Sequence, residues 1–503
     1  MMTEDVRVSR VSLMRNLVLV SLVAGIPRII GAFLLRKEPF GDAYCYIEQV
    51  SLIRGKILAG TFSVPDLFGF WLPLYQFFCS IIALVANQPA YVAKLVSAGA
   101  GIGVCVLVYL TSQLLTGSQR AALLASLAIA LNPFHLQYSS AAMTDIPHAL
   151  MVMLCMYFVL TERWVLAACF GAGAGLIRLD SWMLILLVPA IQFMRQRKLP
   201  VISILILALP PAFWMFVCWV ATGDPLASFR AHDQYVASRL LAHPEFDQIT
   251  LQRTWFDGYR LIYAVNIAVL AGCVTALWLI FRNWRKATSK DEASGIVRPL
   301  ICALFFFAYF GFILLAYFTK NQSDIWPRYG LIMFSLGLPV LAHSAHQIFT
   351  GRSVLAQALI LLALICGVVQ YRTQAIHLWQ FAQKEERART IANYLKQEYA
   401  ADQSIRIFCD DTAVRVISGI PRAQFYDSFA APRDKEGFLS FLQAKGVKFM
   451  VVPFEAETST PGQLFPNLVK DPGDSFEAIM TSPPERREDS LYRIRTKETS
   501  PPG

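Results

Sequence analysis

Apolar runs of about 20 residues, each able to cross roughly 30 Å of hydrocarbon at about 1.5 Å per helical residue, recur from residue 16 to residue 371. Short polar loops separate them. The pattern predicts about eleven spanning helices, near 16–35, 91–115, 119–134, 146–161, 165–179, 182–195, 200–221, 260–281, 299–318, 329–347 and 353–371. One further apolar stretch, Phe70 to Ala86, is slightly short to span, and the topology turns on it. If it crossed, the basic clusters Arg195, Arg197, Lys198 and Arg282, Arg285, Lys286 would face outward, against the excess of Lys and Arg in cytoplasmic loops. If it lies along the interface, with Trp71, Pro73 and Tyr75 at headgroup depth, both clusters are cytoplasmic. The second arrangement is expected. It puts the N-terminal residues 1–15 in the cytoplasm, makes residues 16–371 the membrane domain with a first outer loop at 36–90, and leaves the C-terminus outside. The spans near Asp145 and Asp180 are short, as suits helices that stop part-way and leave a polar bowl in the outer leaflet.

After Tyr371 the pattern turns soluble. A charged helical stretch (Lys384 to Glu398), strand-like runs (Ser404 to Asp410, Ala413 to Ser418), a helix near Lys435 to Ala444 and a strand at Val447 to Pro453 predict a small extracytoplasmic α/β domain over 372–480. It has no GxGxxG or GxxxxGK[ST] motif, so no nucleotide site is assigned. Residues 481–503, rich in Pro, Glu, Arg and Ser, are expected to be a flexible tail. The chain of 503 residues is thus an α-helical polytopic membrane protein with a small C-terminal α/β domain, in keeping with its 55% hydrophobic and 16% charged content. The net charge of +10 would suggest nucleic acid in a soluble protein; here it sits in loops, without an aromatic-interleaved basic stripe. The ten cysteines are scattered and form no CxxC, so they read as packing residues. No small-residue cleavage site follows the first apolar run, which is therefore expected to be a signal anchor.

Ionisable residues at a membrane rim are the candidates for chemistry. Asp42 and Glu48 lie in GDAYCYIE directly after the first span, Asp145 in SSAAMTDIPHA, Arg178 and Asp180 in LIRLDSW, and Lys320 and Arg328 in TKNQSDIWPR. Each has a plainer alternative. Asp42, Asp145 and Asp180 could be helix caps, and the basic residues could be headgroup anchors. Arg28, inside the first span beside Pro27, is expected to snorkel outward. His135 and His148 have no ligand spacing and read as interfacial histidines with satisfied hydrogen bonds.

Four stretches also resemble the GT-C type integral-membrane glycosyltransferases, in particular the branch of bacterial aminoarabinose transferases and protein O-mannosyltransferases. GDAYCYIEQVSLIRGKI is similar to that family's first outer loop, WLPLYQFF to its aromatic-Pro-Leu-Tyr helix, TDIP (Thr144 to Pro147) to its second outer loop, and WPRYGLIMFSLGLP to its late Arg-Tyr motif. The likeness runs over roughly residues 10–371, in order. Cys45 between the two tyrosines and the lack of clustered histidines depart from the pattern.

The resemblance implies transfer of a sugar from a polyprenyl-phosphate donor to a lipid, glycan or protein acceptor on the outer face; a bacterial inner membrane is the expected location, with the endoplasmic reticulum as the alternative. Within it, Asp42 is the expected general base and Asp145 the second carboxylate. Arg328, followed by Lys320 and Arg178, would hold the leaving phosphate, since a guanidinium can grip phosphate oxygens with two parallel hydrogen bonds. Tyr46, Glu48 and Tyr329 would position donor or acceptor. No metal site is assigned, although a divalent ion stays open. The rival from another class is a transporter or flippase of a lipid-linked substrate, which would place ionisable groups mid-span rather than in outer loops.

Overall fold

The computed structural model describes residues 2–35, 38, 41–242, 265–284, 290–319, 327–349, scattered positions between 354 and 368, 385–428, 430–453, 459–468, 470–481 and 489–495. These form two compact units: residues 1–36, 49–240 and 244–374 in one, and 37–48, 241–243 and 375–503 in the other.

The larger unit is a bundle of apolar helices. In chain order come α1 (Met2–Leu34), α2 (Gly41–Leu58, whose second half lies here), α3 (Leu74–Ala86), α4 (Pro89–Thr116), α5 (Gln119–Ala130), α6 (Pro133–Ser139) and α7 (Asp145–Leu160). They are followed by α8 (Trp164–Gly175), α9 (Leu184–Gln196), α10 (Val201–Thr222), α11 (Ala227–Ala242), α12 (Ile267–Trp284), α13 (Lys290–Phe318) and α14 (Gly330–Ile348). Six of them contain stretches long and apolar enough to cross a membrane: Val11–Leu34, Pro89–Thr116, Val201–Thr222, Ile267–Trp284, Ile296–Phe318 and Gly330–Ile348. The 13 residues of α3 reach about 20 Å at 1.5 Å per residue, short of a span. The segment 222–259, read from sequence as a loop, contains α11, while the expected span at 353–371 falls mostly outside the described residues.

Side chains divide as lipid-solvated helices require. Large apolar residues such as Leu186, Leu205 and Leu209 stand exposed, whereas α14 is buried on every side from Gly330 to Ala345. Small residues let these helices approach without a hydrophobic drive between them. At Gly272 of α12, an added Cβ would come within 2.9 Å of the Leu341 backbone in α14.

Arg28 does not snorkel. It is fully buried, and its guanidinium donates to the carbonyls of Ala24 (2.8 Å) and Ala130 (3.0 Å) and to His135 Nδ1 (2.8 Å). A carbonyl of its own preceding turn, one at the end of α5 and an imidazole of α6 replace water here, which turns the costly inward orientation into a crosslink from α1 to α5 and α6. His135, expected at the interface, is likewise fully buried. Gly101 of α4 makes room for the pair, since a Cβ there would lie 2.8 Å from Arg28 Nε.

The smaller unit is a three-layer α/β domain. A five-stranded sheet runs in the order β2-β1-β3-β5-β4, from β1 (Arg406–Cys409), β2 (Phe425–Tyr426), β3 (Val447–Val452), β4 (Phe476–Met480) and β5 (Ser490–Ile494). β1 pairs in parallel with β2 and β3, and β5 is antiparallel to β3 and β4. One face packs on α15 (residues 385–401) and α16 (Thr412–Ser418), the other on α17 (Lys435–Ala444). Two sequence expectations are corrected. Ala413 to Ser418 is helix, not strand: Asp411 caps it by accepting the Val414 N–H at 3.1 Å, and a short apolar run does not reveal its own period. Residues 490–494, expected in a flexible tail, form β5, because Leu491 enters one core face and Tyr492 and Ile494 the other.

Candidate active site

In the larger unit, three chain segments bring charge together. Asp145 occupies the first turn of α7, after the loop that follows α6. Arg178 stands in extended backbone (φ −144°, ψ 141°) where α8 ends, immediately before a 3-10 turn at Leu179–Met183 that carries Asp180 and Ser181. That turn is fastened to α8 by the Trp182 indole N–H, which donates to Gly175 O at 2.9 Å. The third segment, Pro327–Tyr329, leads into α14.

Arg178 is the hub. Its Nη1 donates to Asp145 Oδ1 and its Nε to Asp180 Oδ2, both at 3.1 Å, and its guanidinium lies 5.5 Å from the centre of the Tyr329 ring. The Arg328 guanidinium is 5.8 Å from the same ring. Two carboxylates on one guanidinium leave one negative charge over. Asp145 is only 5% exposed, and its Oδ2 has no hydrogen-bond partner among the described residues, an arrangement that favours an incoming donor such as a hydroxyl or cation. Burial would raise the Asp180 carboxyl, but Arg178 and His148 outweigh it and hold the group below the usual carboxylate range.

Behind Asp180 runs a buried polar chain that sequence reasoning missed. His148 Nε2 lies 2.6 Å from Ser181 Oγ and 3.3 Å from Asp180 Oδ1, and Ser181 Oγ lies 2.6 Å from the Tyr309 hydroxyl. His148 is 1% exposed and Tyr309 fully buried, so His148 is a core residue rather than an interfacial one. Its spacing of three from Asp145, which puts both on one helical face, was the available signal. Nothing in the sequence pointed to Ser181 or Tyr309.

Of the sequence candidates, the structure thus brings together Asp145, Arg178, Arg328 and Tyr329, with Asp180. Asp42, Tyr46 and Glu48 belong to the smaller unit: Asp42 in the first turn of α2, Tyr46 buried, and Glu48 bound to Arg415. Lys320 lies outside the described residues. Among the described residues no three His, Cys, Asp or Glu side chains converge as metal ligands.

Residues 67–191 match the family model described as dolichyl-phosphate-mannose-protein mannosyltransferase. Among solved structures, ArnT from Cupriavidus metallidurans bound to undecaprenyl phosphate is similar over 95% of this chain and 98% of its own, with a TM-score of 0.60 at 12% identity. The apo state of that ArnT matches over 95% and 97%, with a TM-score of 0.54 at 14% identity. The chain thus has the fold of ArnT over nearly its whole length, and residues 67–191 resemble the mannosyltransferase family. No curated protein sequence matches it significantly. The ion cluster of Asp145, Arg178 and Asp180 lies wholly inside the family-matched segment.

Proposed function

We propose that the protein moves a sugar from a polyprenyl-phosphate donor to an acceptor hydroxyl or amine on the extracytoplasmic face of a bacterial inner membrane. The observation that carries this reading is the Asp145–Arg178–Asp180 cluster, a polar constellation among apolar helices that lies wholly within the segment matching a lipid-phosphate-sugar transferase family. The likeness to a transferase crystallised with undecaprenyl phosphate supports the donor class. A membrane transferase acting outside the cytoplasm has no nucleotide sugar at hand, so its donor must arrive already attached to a lipid.

The reaction is a single displacement at the anomeric carbon. The acceptor oxygen or nitrogen bonds to that carbon as its proton passes to the Asp42 carboxylate. The carbon–oxygen bond to phosphate breaks, and its electron pair leaves on polyprenyl phosphate. Arg328 neutralises the departing phosphate, and its guanidinium suits two parallel bonds to the oxygens. Arg178 is shared between two carboxylates and so is the weaker phosphate ligand; its part is to orient Asp145, whose second oxygen accepts a sugar or acceptor hydroxyl. Tyr329 presents its ring beside both arginines as a wall for the sugar.

Purified protein in lipid discs, given a panel of labelled polyprenyl-phosphate sugars, should release the free carrier with at least one of them. Asp42→Asn should lower turnover by about 10² to 10⁴, the usual span for a lost general base, with insertion and thermal stability kept. Normal turnover in that variant removes Asp42 from the mechanism. Arg328→Ala should raise the donor KM more than the acceptor KM.

A further inference from the structure

Residues 37–48 lie far from the C-terminal domain in sequence, yet they are part of its compact unit. They meet it beyond the carboxyl end of β1. This strand lies between β2 and β3, so the chain leaves it to one side and later returns on the other. Open α/β sheets take their ligands at the carboxyl ends beside such a reversal. Here those residues hold a piece of the protein's own chain. Thr412, the first residue of α16, accepts the Cys45 thiol at 3.4 Å. Arg415, one turn on, grips Glu48 with both edges of its fork, Nε to Oε1 at 2.8 Å and Nη2 to Oε2 at 2.9 Å.

Arg415 is itself fixed, because Nη1 donates to the Cys409 carbonyl at 2.8 Å and Nη2 to the Thr412 hydroxyl at 3.0 Å. A planar guanidinium held at four points has one orientation, and so has the carboxylate it carries. The pair is largely shielded, with side-chain exposures of 10% for Arg415 and 17% for Glu48, so water does not loosen it. A second tie secures the other end of the segment. Glu385 of α15, 5% exposed, accepts the Glu38 backbone N–H at 3.1 Å and is hydrogen-bonded to the Tyr44 hydroxyl. Burial and the neighbouring Asp42 push the Cys45 thiol up to about 12, so it stays a neutral donor to Thr412.

We infer that the C-terminal α/β domain is the clamp of the first outer loop, with Arg415 the positioning residue that, through Glu48, fixes the first turns of α2 and thereby the direction of Asp42. Glu48 and Asp42 are less than two helical turns apart at about 3.6 residues per turn, so a tilt imposed at one is felt at the other. The ligand of the domain is this loop, and its task is to pre-order the base. The inference rests on the reading of Asp42 as base, and its test separates the two.

The first arm needs no turnover. Thr412→Cys places a second thiol beside Cys45; mild oxidation of the full-length protein should give a disulfide that peptide mapping assigns to those two positions. No such link overturns the clamp. The second arm reads positioning. Arg415→Glu and Glu48→Arg should each lower kcat by about 10²-fold, the cost of misplacing a reacting group by about 1 Å, with donor KM changed less than about threefold. The double variant, which restores opposite charges, should recover at least tenfold of that loss. A wild-type kcat in the single variants, or equal losses in the singles and the double, overturns the inference. Should the disulfide form while Asp42→Asn keeps full activity, the clamp stands and the base assignment fails.

Discussion

Arg28 and Arg178 both lie within the helical bundle, and they differ in what neutralises them. The described partners of Arg28 are carbonyl oxygens and the His135 ring, with no carboxylate among them. Every one of these contacts ties α1 to α5 and α6 or to its own preceding turn. Arg178 is held by two carboxylates, and one of them, Asp145, keeps a buried oxygen with no described hydrogen-bond partner. A buried cation satisfied by backbone is a strut, whereas one that organises acidic groups with capacity left over is equipment for a substrate. Burial alone does not tell them apart; the partners do.

The largest effect expected from this contrast is at Arg178. Its replacement by Ala leaves Asp145 and Asp180 facing each other without a counter-charge, so the bundle should lose about 3–5 kcal/mol and transfer should be abolished. Arg178→Lys, which cannot bridge both carboxylates with one planar fork, should retain the fold but lose most activity in the carrier-release assay. Arg28→Met is the sharpening control. It should lower the thermal midpoint in detergent through orphaned carbonyls, each worth about 1–3 kcal/mol, while the molecules that stay folded turn over at the wild-type rate. An inactive but stable Arg28→Met would erase the distinction. Ser181→Ala, which cuts the link between His148 and Tyr309, should cost about 1 kcal/mol of stability and a few-fold in rate.

The smallest effect concerns pH and sets Asp180 against Asp410. Arg178 and His148 hold Asp180 below the usual range, so its contribution is present above the unfolded carboxylate pKa and lost as pH falls through the folded one. Asp410 goes the other way. It is half-buried after β1, and although Ser428 donates to it from both backbone (2.7 Å) and hydroxyl (2.6 Å), desolvation dominates and raises its pKa. Its penalty is absent below the ordinary carboxylate pKa, grows as pH rises through it, and is complete above the folded value. Asp410→Asn should therefore leave stability unchanged at low pH and raise it as the medium approaches neutrality. Thermal unfolding of the full chain between about pH 4 and pH 8 would show whether the curves diverge in that direction, each tenfold change in proton affinity being worth about 1.4 kcal/mol.

Six of the expected spans coincide with helices long and apolar enough to cross a membrane, and these were legible because hydrocarbon imposes a length and a polarity that any stretch of sequence either meets or fails. The same local reading failed at Ala413 to Ser418, where a short apolar run fits two periods and a cap at Asp411 chose the helix. It failed at 490–494 because composition describes a tail on average, whereas β5 exists through pairing with β3 and β4. Asp145, Arg178, Arg328 and Tyr329 were legible as candidates, since ionisable and aromatic residues at a membrane rim stand out in any linear reading. That Arg178 would be spent on two aspartates, that Arg28 would turn inward, and that Glu48 would be gripped by a residue more than 360 positions away were all beyond it. By itself the sequence determined which segments are apolar enough to enter a membrane, because transfer free energy is a sum over neighbouring residues. Only the tertiary structure decided which charges pair, because pairing depends on distances between segments that the linear order does not contain.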